Sequence, residues 1–347
     1  MRLGVLDVGS NTVHLLVVDA RRGGHPTPQL SEKEPLKLAG HLDADGAITE
    51  YGVSELVRIV GQAALSAARL GCDELLAFAT SALRDATNSA EVLHEVRALT
   101  GVDLQVLSGS DEARVTFLAA RRWFGYSAGD MVVLDIGGGS LELAGGQDEE
   151  PAVALSLPLG AGRLRRDLKL SDPPTLKQLS TAEEFLVAQL AGPAKKIRSA
   201  GPFNRAVGTS KTFRTLARLA GAAPSSAGPL VPRTLSARAL RQITAFVTRM
   251  AASDIGALDG VSANRAEQTA VAALVAEAAV TALKITELHI CPWALREGLI
   301  LRRLDQLAFA DSDPDSESGT DAGSESGSDV GSRARARKSS GAGRGKA

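Results

Sequence analysis

Two acidic residues at strand ends, each followed by a glycine turn and polar side chains, are the residues of this chain best suited to chemistry. The first group reads Leu6-Asp7-Val8-Gly9-Ser10-Asn11-Thr12, the second Leu134-Asp135-Ile136-Gly137-Gly138-Gly139-Ser140, with Glu142 just beyond. Each follows a short apolar run and leads into another, at 13–18 and 141–144. This is the pattern of a β-hairpin whose tight turn offers backbone N–H groups to an anion. A Cβ at Gly137, Gly138 or Gly139 would block close approach of phosphate, whereas a type I′ turn by itself explains Gly9. Two such hairpins imply two related halves facing one polyanion. Carboxylates beside phosphate repel it unless a cation intervenes. Asp135 and Glu142 are therefore expected to hold Mg2+, which takes carboxylate, phosphate and water oxygens, with Mn2+ as a substitute. Asp7 is a third metal candidate, although Asp at a strand end is also ordinary turn chemistry.

Other groups extend the picture. Glu112 falls in the first turn of a helix expected to be capped by Ser110, where an acid serves either as a water-activating base or as a complement to the helix dipole. Asp111 is assigned to the dipole. Arg84 follows a strand and two hydroxyl residues, a place from which it reaches phosphate bidentately or forms a surface ion pair. Thr209, Ser210 and Lys211 begin a helix after a glycine and suit a further phosphate. They are not a nucleotide P-loop, which needs glycine where this chain has Ser210 and Arg205. Arg214 and Arg218, farther along that helix, line a channel or a solvated face. His14 has no second His or Cys at ligand spacing and reads as a packed structural histidine. Arg296 and Glu297 read as end capping or domain closure.

The elements that must position these residues alternate. Strands are expected at 3–8, 13–19, 75–79, 104–107, 131–134, 141–144, 153–157, 205–208 and 288–291. Helices are expected at 50–70, 89–99 (with a capping box from Asn88 and Glu91), from 110, and at 175–190, 212–220, 236–251, 265–283 and 294–307. Strands alternating with helices in each half indicate α/β halves with mixed sheets and a ligand cleft between them. Domain I is placed at 1–128, with 294–310 packing back on it, and domain II at 129–293. The segment 311–347, an acidic block followed by a basic one, is expected to be disordered.

Bulk properties limit the function classes. The 347 residues are 44% hydrophobic and 23% charged, ordinary for a globular enzyme. Aromatics make up 3%, too few for base stacking to dominate recognition, so no specific nucleic-acid partner is expected. Two cysteines, Cys72 and Cys291, suit a reducing cytoplasm, and no apolar run reaches membrane-spanning length. The net charge is −1, yet residues 185–253 contain no Asp or Glu and eleven Lys and Arg, a local field expected to hold a polyanion.

The Asp-Val-Gly-Ser-Asn-Thr of 7–12 and the Asp-Ile-Gly-Gly-Gly-Ser-Leu-Glu of 135–142 resemble the two phosphate-binding signatures of the exopolyphosphatase and guanosine pentaphosphate phosphohydrolase family. Ala79-Thr80-Ser81-Ala82-Leu83-Arg84, Ser108-Gly109-Ser110-Asp111-Glu112-Ala113-Arg114, Leu157-Pro158-Leu159-Gly160, Gly208-Thr209-Ser210 and Leu295-Arg296-Glu297-Gly298-Leu299 match in order, so the resemblance spans 1–305. It implies two ribonuclease H-like domains of actin and hexokinase type, with mixed sheets flanking an interdomain cleft. It also implies that Glu112 is the catalytic glutamate, and that phosphate is bound by Ser10, Asn11, Thr12, Arg84, Gly137, Gly138, Gly139, Ser140, Thr209, Ser210 and Lys211. The implied activity is release of terminal orthophosphate from inorganic polyphosphate with Mg2+, in a cytoplasmic homodimer. Lys211 departs from the family's usual small residue. The expected absence of further helical domains suggests a preference for short chains. The rival readings are a guanosine pentaphosphate 5′-phosphohydrolase acting in stringent-response turnover, a kinase-like ATP user on the same fold, and a non-catalytic polyphosphate-sensing module.

Overall fold

The computed structural model describes residues 1–21 and 24–310; the tail expected over 311–347 lies outside the described residues. The first sheet contains β1 (Arg2–Val8), β2 (Thr12–Asp19), β3 (Thr27–Pro35), β4 (Glu74–Ala79) and β5 (Gln105–Val106), in the order β3-β2-β1-β4-β5. Helices α1 (Glu50–Arg69), α2 (Ser81–Arg84), α3 (Ser89–Thr100) and α4 (Gly109–Phe124) are interspersed with it. The second sheet contains β6 (Met131–Ile136), β7 (Leu141–Gly146), β8 (Val153–Leu157), β9 (Arg205–Gly208), β10 (Thr234–Ser236) and β11 (Glu287–Ile290), in the order β10-β11-β9-β6-β7-β8. Its helices are α5 (Ala161–Asp167), α6 (Leu176–Arg198), α7 (Ser210–Leu219), α8 (Ala237–Val247), α9 (Ala252–Gly256) and α10 (Ala266–Ala282), and α11 (Leu295–Ala310) follows.

Both sheets are mixed, and the sequence duplication is a duplication of hairpins. β1 runs antiparallel to β2 and parallel to β4; β6 runs antiparallel to β7 and parallel to β9. Within the hairpins Asp7 stands opposite His14 and Asp135 opposite Glu142. Directly opposed residues share a sheet face, so each hairpin delivers a pair of polar side chains beside its own turn. Leu6, Val8, Val13 and Leu15 anchor the first hairpin in one apolar core, and Leu134, Ile136, Leu141 and Leu143 anchor the second in another. Leu299 and Ile300 of α11 pack with Leu3 and Val5 of β1.

Several local expectations are corrected. β3, Thr-Pro-Gln-Leu-Ser-Glu-Lys-Glu-Pro, was not expected because it lacks an apolar face. It is a mostly exposed edge strand recruited by backbone pairing to β2. The cap of α4 is Ser108, whose Oγ accepts from the N–H of Asp111 at 3.1 Å, and Ser110 lies inside the helix. Asn88 forms no capping box. Its amide clamps the backbone of Ile48, accepting at 2.8 Å and donating at 2.9 Å. None of the residues at 9–12 or 137–140 has a positive φ, so neither turn is type I′.

Candidate active site

Close approach of the second turn to the first hairpin and to α2 is what demands glycine. A Cβ on Gly138 would lie 2.7 Å from Asn11 Nδ2, and one on Gly139 would lie 2.3 Å from Ser81 Oγ. Gly160, at the start of α5, is pressed onto the same turn, where a Cβ would meet backbone atoms of Gly139 and Ser140 at 2.3 Å. The turn hydrogen bonds, Gly9 N–H to Thr12 O and Gly137 N–H to Ser140 O, leave the N–H groups of Ser10, Asn11, Gly138 and Gly139 without a backbone acceptor. Backbone donors therefore converge from both hairpins.

Beside the turns lies a cavity of about 340 Å³. Four acids line it: Asp7, Glu112, Asp135 and Glu142. Five cations line it as well: Lys33, Lys211, Arg214, Arg265 and Arg296. Only Arg296 among these cations has an ion-pair partner among the described residues, Asp7 at 2.9 Å. Arg214 donates to the carbonyl of Pro292 at 3.2 Å. Two buried polar atoms in the lining, Ser210 Oγ and Arg296 Nε, have no hydrogen-bond partner. Ser210 also holds a left-handed φ of 51°. Unsatisfied donors and a strained residue at the wall of a cationic cavity are what an oxyanion ligand would compensate.

The acids are arranged asymmetrically. Glu112 is 6% exposed and ion-paired with Arg84. Burial and then the Glu142 carboxylate push its pKa up, while Arg84 pulls it down. Glu142, also 6% exposed, accepts from Ser156 Oγ at 2.9 Å; burial and Asp135 raise it. Asp135 is raised by burial and receives the Thr209 hydroxyl, which opposes that rise. Partial desolvation, followed by neighbouring arginines, lowers both Lys33 and Lys211. Burial, then the positive charges of Arg296, Lys33 and Arg214, lowers His14 to about 3, and its Nε2 lies 2.8 Å from Ser31 Oγ. His14 is packed and neutral, the structural reading of the sequence.

The predicted residues do not all meet the cavity. Asp7, Ser10, Asn11, Thr12, Glu112, Asp135, Gly137, Gly138, Ser140, Glu142, Ser210 and Lys211 line it. Arg84 does not; its guanidinium serves Glu112, the carbonyl of Leu107 at 3.2 Å and Asp85 at 3.3 Å. Thr209 is fully buried, and its hydroxyl is spent on Asp135 and the Leu134 carbonyl, so it orients a carboxylate. Gly139 abuts Ser81 and lies on a neighbouring cavity. Asn11 exchanges two hydrogen bonds with Gln268. Of the eleven cations in 185–253, only Lys211 and Arg214 reach the cavity. Arg218 pairs with Asp259, Arg233 binds four carbonyls, Arg198 donates to Ala282 O, and Arg205 stacks on Phe124 at 4.8 Å.

Three cavity cations escaped sequence reasoning. Lys33 sits on the unexpected strand β3, Arg265 ends a short 3-10 turn (Ala263–Arg265) at the start of α10 with no motif to mark it, and Arg296 reads in the sequence as a capping or domain-closure residue. Glu297 does cap, accepting from Ala294 N–H at 2.9 Å, whereas Arg296 turns to Asp7. Among the described residues no group of three or more His, Cys, Asp and Glu is placed to hold a metal. A protein donor set for a divalent cation is thus confined to one or two carboxylates.

A sequence model of the Ppx/GppA phosphatase family matches residues 17–307. The chain belongs to this family. Among the relatives of this Ppx/GppA protein, Exopolyphosphatase 1 of Mycobacterium tuberculosis is 59% identical over 308 residues, covering 89% of this chain and 90% of that protein. Exopolyphosphatase 1 of Mycobacterium leprae is 58% identical, covering 89% and 91%. The crystal structure of an exopolyphosphatase from Cytophaga hutchinsonii superposes with a TM-score of 0.80 at 23% identity, over 88% of this chain and 98% of that one. That likeness bears on the fold, and the expected α/β architecture with two mixed sheets is borne out.

Proposed function

We propose that this Ppx/GppA phosphatase releases orthophosphate from the end of inorganic polyphosphate by direct attack of water on the terminal phosphorus. The observation that carries the reading is the cavity itself. Five cations, two unsatisfied polar atoms and unpaired turn N–H groups surround a space that also contains a buried, arginine-paired glutamate. The names of the mycobacterial relatives support the same substrate class.

In this reading Lys33, Lys211, Arg214 and Arg265 hold the phosphate oxygens, and the N–H groups of Ser10, Asn11 and Gly138 receive the terminal phosphoryl group. Glu112, its pKa pushed up to about 9 by burial and the Glu142 carboxylate and lowered only in part by Arg84, acts in its ionised form: it orients the water and takes its proton as the new P–O bond forms and the bridging P–O bond breaks. The shortened chain leaves as an anion neutralised by the same cations. Asp135 and Glu142, facing each other at the cavity wall with hard oxygen donors, fit a Mg2+ or Mn2+ site completed by phosphate and water oxygens. When bound, that ion neutralises charge developing on the phosphate oxygens. Thr209 fixes the Asp135 carboxylate for this task. Asp7, tied to Arg296, positions that arginine and serves the metal less directly.

The cavity lining includes no Phe, Tyr or Trp among the described residues, so a guanine ring finds nothing aromatic to stack on. This favours polyphosphate over guanosine pentaphosphate. Among the described residues no helix is long and apolar enough to cross a membrane. Both cysteines are free thiols, which suits a reducing cytoplasm. The test is phosphate release with Mg2+ from tripolyphosphate and from guanosine pentaphosphate at equal concentration, for the native protein and Glu112→Gln. Faster release from tripolyphosphate, abolished in the variant, supports the proposal. Faster release from the nucleotide, or an unaffected variant, overturns it.

A further inference from the structure

A second basic groove adjoins the hairpin turns. This groove, of about 390 Å³, is lined by Lys37, Arg165, Arg166 and Lys169, with Glu267 as its one acid. Arg165 pairs with Glu267 at 2.5 Å and Arg166 with Asp167 at 3.4 Å, while Lys37 and Lys169 have no ion-pair partner among the described residues. Lys37 is held there by backbone: its N–H and that of Leu36 both donate to the carbonyl of Asn11 at 3.0 Å. The groove and the catalytic cavity share Ser10, Asn11, Gly138 and Asn264 as lining, so they abut along one wall.

That wall is closed by an amide clasp. Asn11 Nδ2 donates to Gln268 Oε1 at 3.0 Å, and Gln268 Nε2 donates back to Asn11 Oδ1 at 2.9 Å. The clasp joins the first hairpin turn to α10, elements distant in sequence. It is pinned from both sides by glycines: a Cβ on Gly138 would meet Asn11 Nδ2 at 2.7 Å, and one on Gly162 would meet Gln268 Nε2 at 2.9 Å. Both bonds are neutral amide to amide, the kind that a polyphosphate chain can displace, since its oxyanions accept from the freed amide N–H groups.

We propose that the Asn11–Gln268 clasp is a gate between the catalytic cavity and a distal phosphate subsite formed by Lys37, Arg165, Arg166 and Lys169. Short chains fit within the cavity and leave the clasp closed. A longer chain opens it and lays its distal phosphates along the groove. The gate therefore sets chain-length preference, and this inference rests on the polyphosphate reading above.

The experiment compares kcat/KM for phosphate release from tripolyphosphate and from long-chain polyphosphate, in the native protein, in Gln268→Ala, and in Lys37→Gln combined with Lys169→Gln. Removing the clasp is expected to raise the long-to-short ratio by about tenfold, the worth of one to two net neutral hydrogen bonds. Neutralising the two exposed lysines is expected to lower the ratio by a similar factor, with tripolyphosphate turnover unchanged. The lysine variant alters only surface positions and so tests the groove even if Gln268→Ala folds poorly. A ratio equal to that of the native protein in the lysine variant overturns the inference, as does a clasp variant that slows both substrates alike. If the native protein cleaves neither chain, the proposed function fails. The groove is then judged by calorimetric binding of long-chain polyphosphate, which must weaken in the lysine variant for the subsite to stand.

Discussion

Replacing Arg84 by Ala separates two roles for this residue. The sequence suggested that it grips phosphate; the structure turns it onto Glu112, with the arginine side chain 23% exposed and the glutamate side chain 8% exposed. Glu112 sits under three influences that favour its protonated form, burial, then the Glu142 carboxylate and Asp7; Arg84 is the charge opposing them, and together they push its pKa up to about 9. An opposite charge in contact with a carboxylate lowers its pKa by about 1–3 units, and each unit corresponds to ~1.4 kcal/mol. In Arg84→Ala that opposition is lost, and the base accepts a proton at higher pH. Because the base must be ionised to work, the acid limb of kcat/KM moves up by about 1–3 units. At a fixed pH below the new limb, turnover falls by about 10- to 1000-fold. The assay is phosphate release with Mg2+ from about pH 6 to 11, for native protein, Arg84→Ala and Arg84→Lys, in which the native limb falls near the value of about 9 set by burial and the variant's lies above it. Lysine restores a point charge without the forked geometry, so its limb should lie between the other two. A limb that stays in place while KM rises in Arg84→Ala would refute the reasoning and return Arg84 to the phosphate.

Three further outcomes follow from particular contacts. Gly160→Ala places a Cβ 2.3 Å from the backbone of Gly139 and Ser140, which cannot yield as a flexible side chain can. Stability should drop by more than about 3 kcal/mol in denaturant titration, with residual activity lost as the second turn shifts. His14, lowered to about 3 against an ordinary 6.5, stays neutral when folded while the unfolded chain takes up a proton. Stability is therefore lost as pH falls from about 6.5 towards 3, and His14→Gln should flatten that fall in thermal melts. Lys211→Ala or Arg265→Ala removes an unpaired cavity cation, so KM for tripolyphosphate should rise about tenfold in either. Each variant should also show a shallower rise of KM with salt than the native protein; an unchanged salt slope would place those residues away from substrate.

Much of the fold was legible because each hairpin core, such as the apolar run of 13–18, pairs its pattern with a turn that glycine marks. The strand at 205–208 is recovered to the residue, and α10, apolar nearly all round, could only be buried. The misses share one cause: elements stabilised by partners rather than by their own pattern. β3 is charged and exists because β2 offers an unpaired edge. Asn88 leaves its expected cap because Ile48, forty residues away, presents a backbone donor and acceptor.

The sequence by itself determined the two Asp-led hairpins and the acids Glu112, Asp135 and Glu142; it asked for glycine at 137–139 to admit phosphate, whereas the structure requires it at 138 and 139 because Asn11 and Ser81 press on the turn and leaves Gly137 in ordinary contact. These are local facts: strand ends, turns and the absence of a Cβ are written in consecutive residues. Only the tertiary structure decided which charges meet. The acid-free stretch of 185–253 looked like the anion site, yet only two of its eleven cations line the cavity and four others are spent on carbonyls, an acid and a ring, while Lys33, Arg265 and Arg296 converge from three separate segments. It also decided that Arg84 serves Glu112, that Thr209 serves Asp135, and that Asn11 closes on Gln268. A side chain's partner is whatever the packed chain brings within hydrogen-bond reach, and that distance is unrelated to separation along the sequence.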